Sequence, residues 1–126
     1  MAHSAPIAAT FDTNATNLYV TFHGSWDRQP ATGFKVVQVP FTKLANGQYD
    51  PVAKADSQTG YKDIFGAPNG GSSCTANGLT QSNCFRLSAA AWDPAGRGLF
   101  QCSPTRWCCT TCRVRRLCRG KSPHPR

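Results

Sequence analysis

The residue types able to do chemistry fall in two places along this 126-residue chain. The first is the run His23-Gly24-Ser25-Trp26-Asp27-Arg28, with His3 upstream and Arg86 downstream. Histidine titrates near neutral pH and moves protons. Arginine grips carboxylates through paired, charge-assisted hydrogen bonds. The second is the stretch QCSPTRWCCTTCRVRRLCRGKSPHPR at 101–126, whose cysteines are spaced C-x5-C-C-x2-C-x5-C. Cys109 and Cys112 form one Cys-x-x-Cys pair. A structural zinc site needs four ligands, commonly two such pairs. The second pair is absent, and nothing in the spacing selects Cys102, Cys118 or His124 to complete the set. Arg113, Arg115, Arg116 and Arg119 would attract phosphates, but through charge alone. A small zinc- or nucleic-acid-binding protein acting through this stretch is therefore the alternative to the reading developed below.

The elements that must position these residues are short strands. Gly and Pro total 20 residues, which argues against a helical bundle. No stretch of about 18 apolar residues is present, so no transmembrane helix and no membrane partner are expected. The start, MAHSAPIAATFD, lacks the basic and apolar regions of a signal peptide. The formal charge of +8 and the seven cysteines are unevenly spread. Residues 1–100 carry seven basic residues and all six acids, every one an Asp; residues 101–126 carry seven basic residues, no acid and five of the cysteines. The chain thus divides into a near-neutral body, 1–100, and a basic tail, 101–126, without hydrophobic periodicity.

Within the body, strands are expected at Ile7–Phe11, Leu18–Phe22, Phe34–Phe41, Tyr61–Phe65, Leu87–Trp92 and Leu99–Phe100. The polar stretch at 12–17 reads as a hairpin loop, and Asn46-Gly47 as a turn. The first hairpin recurs 81 residues later: Phe11 maps to Trp92, Asp12 to Asp93, Leu18 to Leu99 and Tyr19 to Phe100. A strand–turn–strand unit that restarts is the grammar of propeller blades. Blades usually take about 40–50 residues, so an 81-residue unit needs an insertion, which the Gly/Ser/Cys loop at 66–84 supplies. A propeller closes with four or more blades, and this chain holds one full blade and the first hairpin of another, about one and a half.

The segments His3-Ser4-Ala5-Pro6, Phe22-His23-Gly24-Ser25-Trp26-Asp27-Arg28 and Thr32-Gly33-Phe34-Lys35-Val36-Val37-Gln38-Val39-Pro40-Phe41, in that order, resemble the late blades of fungal sorbosone/glucose-dehydrogenase-like quinoproteins, the pyrroloquinoline-quinone-dependent pyranose dehydrogenase family. The resemblance covers residues 2–100. It implies an all-β, partial six-bladed β-propeller, an extracellular parent, a pyrroloquinoline quinone with Ca²⁺, and oxidation of a saccharide with transfer to an electron acceptor. Blade topology places the entry loop of an innermost strand and the loop after the second strand on one face. His3, His23, Trp26, Arg28 and Arg86 should then share that face, which in the family is the cofactor face. The resemblance implies cofactor-binding roles for His3, Trp26, Arg28 and Arg86. It assigns neither catalytic base nor metal ligand to this chain, and one and a half blades are not expected to bind the cofactor alone.

Each of these residues has a plainer reading. His23 caps its turn, Trp26 packs between blades, Arg28 is a solvated loop charge weakly paired with Asp27, Arg86 bonds backbone carbonyls, and His3 is a disordered residue near the start. Two further features fit a secreted parent. Cys74 and Cys84 bracket a Gly/Ser/Asn loop that a disulfide could close, and Asn14-Ala15-Thr16 is a glycosylation sequon. The tail reads as non-homologous sequence, with the composition of a shifted reading frame. No specific nucleic acid is expected as a partner, while open sheet edges invite self-association.

Overall fold

The computed structural model describes residues 4–25, 27–67, 71, 86–103 and 106–109, with residues 102, 103 and 106–109 described as backbone strand only. The elements are β1 (Pro6–Phe11), β2 (Asn17–His23), β3 (Phe34–Lys43), β4 (Tyr49–Pro51), β5 (Lys62–Gly66), β6 (Arg86–Trp92), β7 (Gly98–Ser103) and β8 (Arg106–Cys109). The described residues are all-β, as their β-branched and aromatic runs require. Every pairing is antiparallel.

Strands β1, β2 and β3 form a meander; β5 and β4 pair with successive parts of the long β3. Strands β6, β7 and β8 form a second sheet. The two sheets face one another through β1 and β2 against β6. Between them Val36, Leu87 and Phe100 are fully buried, with Tyr19, Ile64, Phe65 and Ala90 packed around them. Full burial of Val36, Leu87 and Phe100 contributes roughly 1.5–3 kcal/mol each by removing them from water. Aromatic edges join the sheets: Tyr19 meets Trp92 at 5.0 Å and 77°, and Phe65 meets Phe100 at 5.5 Å and 65°.

The internal repeat is structural. Asp12 Oδ1 accepts the Thr16 amide at 2.8 Å, and Asp93 Oδ1 accepts the Arg97 amide at 2.8 Å. Ala15 (φ 54°) and Gly96 (φ 74°) take left-handed backbone at the same step of their turns. Both hairpins also carry a bulge at the same step, between Pro6 and Ala8 and between Leu87 and Ala89. The second turn closes one residue tighter: Asp12 N donates to the Asn17 carbonyl, whereas Asp93 N donates to that of Arg97.

Two strands lie outside the sequence expectation. β4 is three exposed residues containing a proline, too short and polar for periodicity to register. β7 runs past Phe100 to Ser103 and β8 pairs with it, Leu99 opposite Cys109 and Cys102 opposite Arg106. The compositional break at 101 is therefore not a break in the sheet, because backbone pairing to a well-packed β7 needs no apolar pattern of its own. The remaining tail residues, and Cys74 and Cys84, lie outside the described residues.

Candidate functional site

One end of the two sheets collects the chemistry. β2 ends at His23, β3 begins at Phe34, and β6 begins at Arg86. The His23 amide donates to the Ala5 carbonyl at 2.9 Å and the Ala67 amide donates to the Phe34 carbonyl at 2.8 Å. The turns at 12–17, 44–48 and 93–97 close the opposite end.

Phe34 is the floor of this end, with 0% exposure. Its ring is pressed between backbones: a Cβ on Gly24 or on Gly71 would overlap it. Both glycines have left-handed φ, +88° and +89°, so they bring main chain against the ring where other residues would clash. Arg86 lies over the same ring, its guanidinium 5.4 Å from the centroid. Arg86 Nη1 donates to the His23 carbonyl at 3.4 Å. The plainer reading of Arg86, a partner for backbone carbonyl, thus describes one of its contacts.

The electrostatics follow from that packing. Arg86 is 3% exposed, and burial lowers its pKa from the usual guanidinium value. His23 is pushed below its ordinary 6.5, first by burial and then by the neighbouring Arg86 charge. The histidine is therefore neutral and the arginine cationic at neutral pH. This end thus holds a buried cation beside a neutral imidazole.

The loop from Gly24 to Gly33 is tied at its base. The Ser25 amide donates to the Thr32 carbonyl at 2.8 Å, and Ser25 Oγ accepts the Thr32 amide at 2.9 Å. Ser25 is buried, as is Ala31. Ser4 packs directly on Gly33, where a Cβ would collide with its hydroxyl. The Gln29–Pro30 peptide is cis.

Of the four residues expected at a cofactor, Arg86 stands at the centre of this end. Arg28 is exposed on the loop and has no described contact with Arg86. His3 and Trp26 lie outside the described residues. Sequence reasoning missed Phe34, which read only as the first residue of a strand. Its own segment gives no sign of the approach of Gly24 and Gly71, one before and one far after it in the chain. Among the described residues no group of three or more His, Cys, Asp or Glu is placed to hold a metal ion. A separate cleft of about 550 Å³, lined by Val39, Pro51, Val52, Lys54 and Tyr61 among others, lies toward β4 and contains neither His23 nor Arg86. Its lining mixes aliphatic residues with Asp50, Lys54, Ser57 and Tyr61, but it holds none of the residues the sequence points to, so the sheet end is taken as the candidate.

A family model described as TrAA12-like matches residues 1–106. The pyrroloquinoline quinone-dependent pyranose dehydrogenase of Coprinopsis cinerea is 40% identical over 105 residues, which is 82% of this chain and 14% of that protein. A pyrroloquinoline quinone-dependent sugar dehydrogenase of Hypocrea jecorina is 34% identical over 106 residues, 82% of this chain and 20% of that protein. Among solved structures, the holo form of the Coprinopsis cinerea pyranose dehydrogenase PQQ domain superposes with a TM-score of 0.70 at 38% identity, over 82% of this chain and 25% of that one. The calcium structure of the Trichoderma reesei carbohydrate-active enzyme of family AA12 does so with a TM-score of 0.65 at 34% identity, over 82% and 23%. The chain therefore spans a quarter or less of each of these relatives.

Proposed function

The chain belongs to the TrAA12-like family, and on that footing we propose that it forms part of the cofactor face of a quinone-dependent sugar dehydrogenase built as a six-bladed β-propeller. The observation that carries the reading is Arg86: a buried cation at the sheet end, stacked on Phe34 and bonded to the His23 carbonyl.

The donor chemistry fits the group. Pyrroloquinoline quinone carries three carboxylates, and a guanidinium binds a carboxylate with strong, oriented hydrogen bonds. In this reading Arg86 binds a carboxylate and Phe34 fixes the guanidinium plane, with His3, Trp26 and Arg28 proposed as further cofactor contacts. When bound, the quinone supplies the hydride acceptor for saccharide oxidation. His23, held neutral, contributes its carbonyl to Arg86 and adds no second positive charge. Calcium is not assigned to any described residue, and the base that takes the sugar hydroxyl proton belongs to parts of the enzyme other than this chain.

Two consequences complete the proposal. The chain alone does not turn over, because it presents one wall of the site. Its outer strand β1, paired only with β2 among the described residues, invites self-association through an open edge. We also place the parent enzyme outside the cell, where the sequon at Asn14 would be used. The test is direct: the purified chain is given pyrroloquinoline quinone, Ca²⁺, a redox dye and a panel of pyranoses. No dye reduction is expected from the chain alone. Reduction is expected when residues 4–103 replace the matching segment of the Coprinopsis cinerea enzyme. Turnover by the isolated chain, or a folded but cofactor-free chimera, would overturn the reading.

A further inference from the structure

We propose that Asn14 is an N-glycosylation site whose first sugar rests on the exposed ring of Phe11. The proposal rests on the extracellular setting given above, and on three observations at the far end of the molecule from Arg86. First, Asn14-Ala15-Thr16 sits in the turn of the β1–β2 hairpin with Asn14 exposed. Second, the turn is held by its neighbours. Asp12 accepts hydrogen bonds from the Thr16 amide, the Thr16 hydroxyl and the Asn17 side chain, at 2.8, 3.0 and 2.8 Å. Asn17 and Asn46 use their side chains inside their turns, while no side-chain hydrogen bond is described for Asn14. Its amide is available without cost to the fold. Third, Phe11 stands three residues before Asn14 at the foot of the same turn and keeps 37% of its surface exposed. Its ring is propped edge-on by Phe41 at 5.1 Å and flanked by Tyr49 at 6.2 Å.

The turn is short and tightly closed, with left-handed backbone at Ala15 (φ 54°) and the Asp12 amide on the Asn17 carbonyl at 3.0 Å, so a sugar on Asn14 starts only three residues from Phe11. The C–H face of a pyranose can cover an aromatic ring with the same apolar gain as any buried contact. The equivalent turn of the second hairpin, Asp93-Pro94-Ala95-Gly96-Arg97, has no sequon, so the feature is not a requirement of the turn itself. In the reaction, Asn14 Nδ2 forms a bond to the anomeric carbon of a lipid-linked oligosaccharide. The bond from that carbon to the lipid diphosphate breaks, and the diphosphate leaves with the amide proton.

The test is translation of the full chain behind an added cleavable leader in the presence of microsomes, scored only on chains protected from external protease. Protected chains are expected to show a slower-migrating form that a glycosidase reverses, leaving Asp at position 14 in the mass spectrum. Asn14→Gln should abolish that form. Phe11→Leu, which keeps the sequon but removes the ring, should lower the occupied fraction at least twofold. Protected chains with unmodified Asn14 would overturn the site, and because the leader delivers the chain, they would leave the extracellular reading of the family intact. Full occupancy in Phe11→Leu, with no ring-current shift of the sugar protons in the original chain, would overturn the role given to Phe11.

Discussion

Arg86, the first residue of β6, reaches across to the backbone of the other sheet and donates to the carbonyl of His23, the last residue of β2, at 3.4 Å. This contact joins two segments 63 residues apart and sets the electrostatics of the sheet end. Replacing Arg86 with Met in the Coprinopsis cinerea chimera removes the guanidinium but keeps most of the volume. Loss of a charge-assisted bond of roughly 1.5–3 kcal/mol should weaken the quinone about tenfold to a hundredfold. Arg86→Lys should recover only part of this, because an ammonium lacks the flat fork and the stacking on Phe34.

The pH dependence of stability follows from His23. Its folded pKa lies below the ordinary 6.5, through burial and then Arg86. A lowered histidine pKa means the unfolded chain takes up the proton first. Stability is therefore full above pH 6.5 and is lost as pH falls from there through the folded pKa. Denaturant unfolding between pH 7.5 and 5 should show this decline, and His23→Gln should flatten it.

Asp12 and Asp93 should be separable as turn caps. At Asp12 burial raises the pKa, but hydrogen bonds from Asn17 and Thr16 outweigh it and the net shift is downward. At Asp93 the Arg97 amide is the leading cause of a downward shift. Both carboxylates contribute stability above the ordinary 3.8, lost as pH falls through their folded values. Asp12→Ala should cost about 1 kcal/mol in a denaturant titration, and Asp93→Ala should destabilise in the same direction.

The glycine packing around Phe34 gives a sharper test of the fold. Gly24→Ala places a methyl into the ring at a left-handed φ. The combined clash and strain should cost on the order of 2–4 kcal/mol. Gly47→Ala, also left-handed but with open space around it, should cost only the backbone part, roughly 1 kcal/mol. Thermal unfolding of the two variants should rank them in that order.

Trp92 holds a buried indole Nε1 with no hydrogen-bond partner among the described residues, although its ring packs on Tyr19. Trp92→Phe removes the orphan donor and keeps an aromatic edge. The loss of packing and the relief of desolvation oppose one another, so the change should stay within about 1.5 kcal/mol in equilibrium unfolding, well below the 3–5 kcal/mol typical of a Trp→Ala deletion.

Much of this was legible in the chain. Short β-branched runs marked β1, β2, β3 and β6, and the 81-residue repeat foretold paired turns down to the carboxylate that caps each. Arg86 stood out because it opens the second copy. Phe34 did not, since a strand-initial Phe carries no local sign that backbone from two distant glycines will close on it. β4 and β8 were hidden for a related reason: their pairing is supplied by β3 and β7, not by an apolar pattern of their own. The exposure of Arg28 matches its plainer reading as a solvated loop charge.

The measurement that bears most directly on the account is the affinity of pyrroloquinoline quinone, with Ca²⁺ present, for the Coprinopsis cinerea chimera carrying residues 4–103 of this chain, read by equilibrium titration with and without Arg86→Met. The account predicts a saturable complex that weakens at least tenfold on the substitution, with the fold unchanged by circular dichroism. Equal affinity in the two folded chimeras would contradict it.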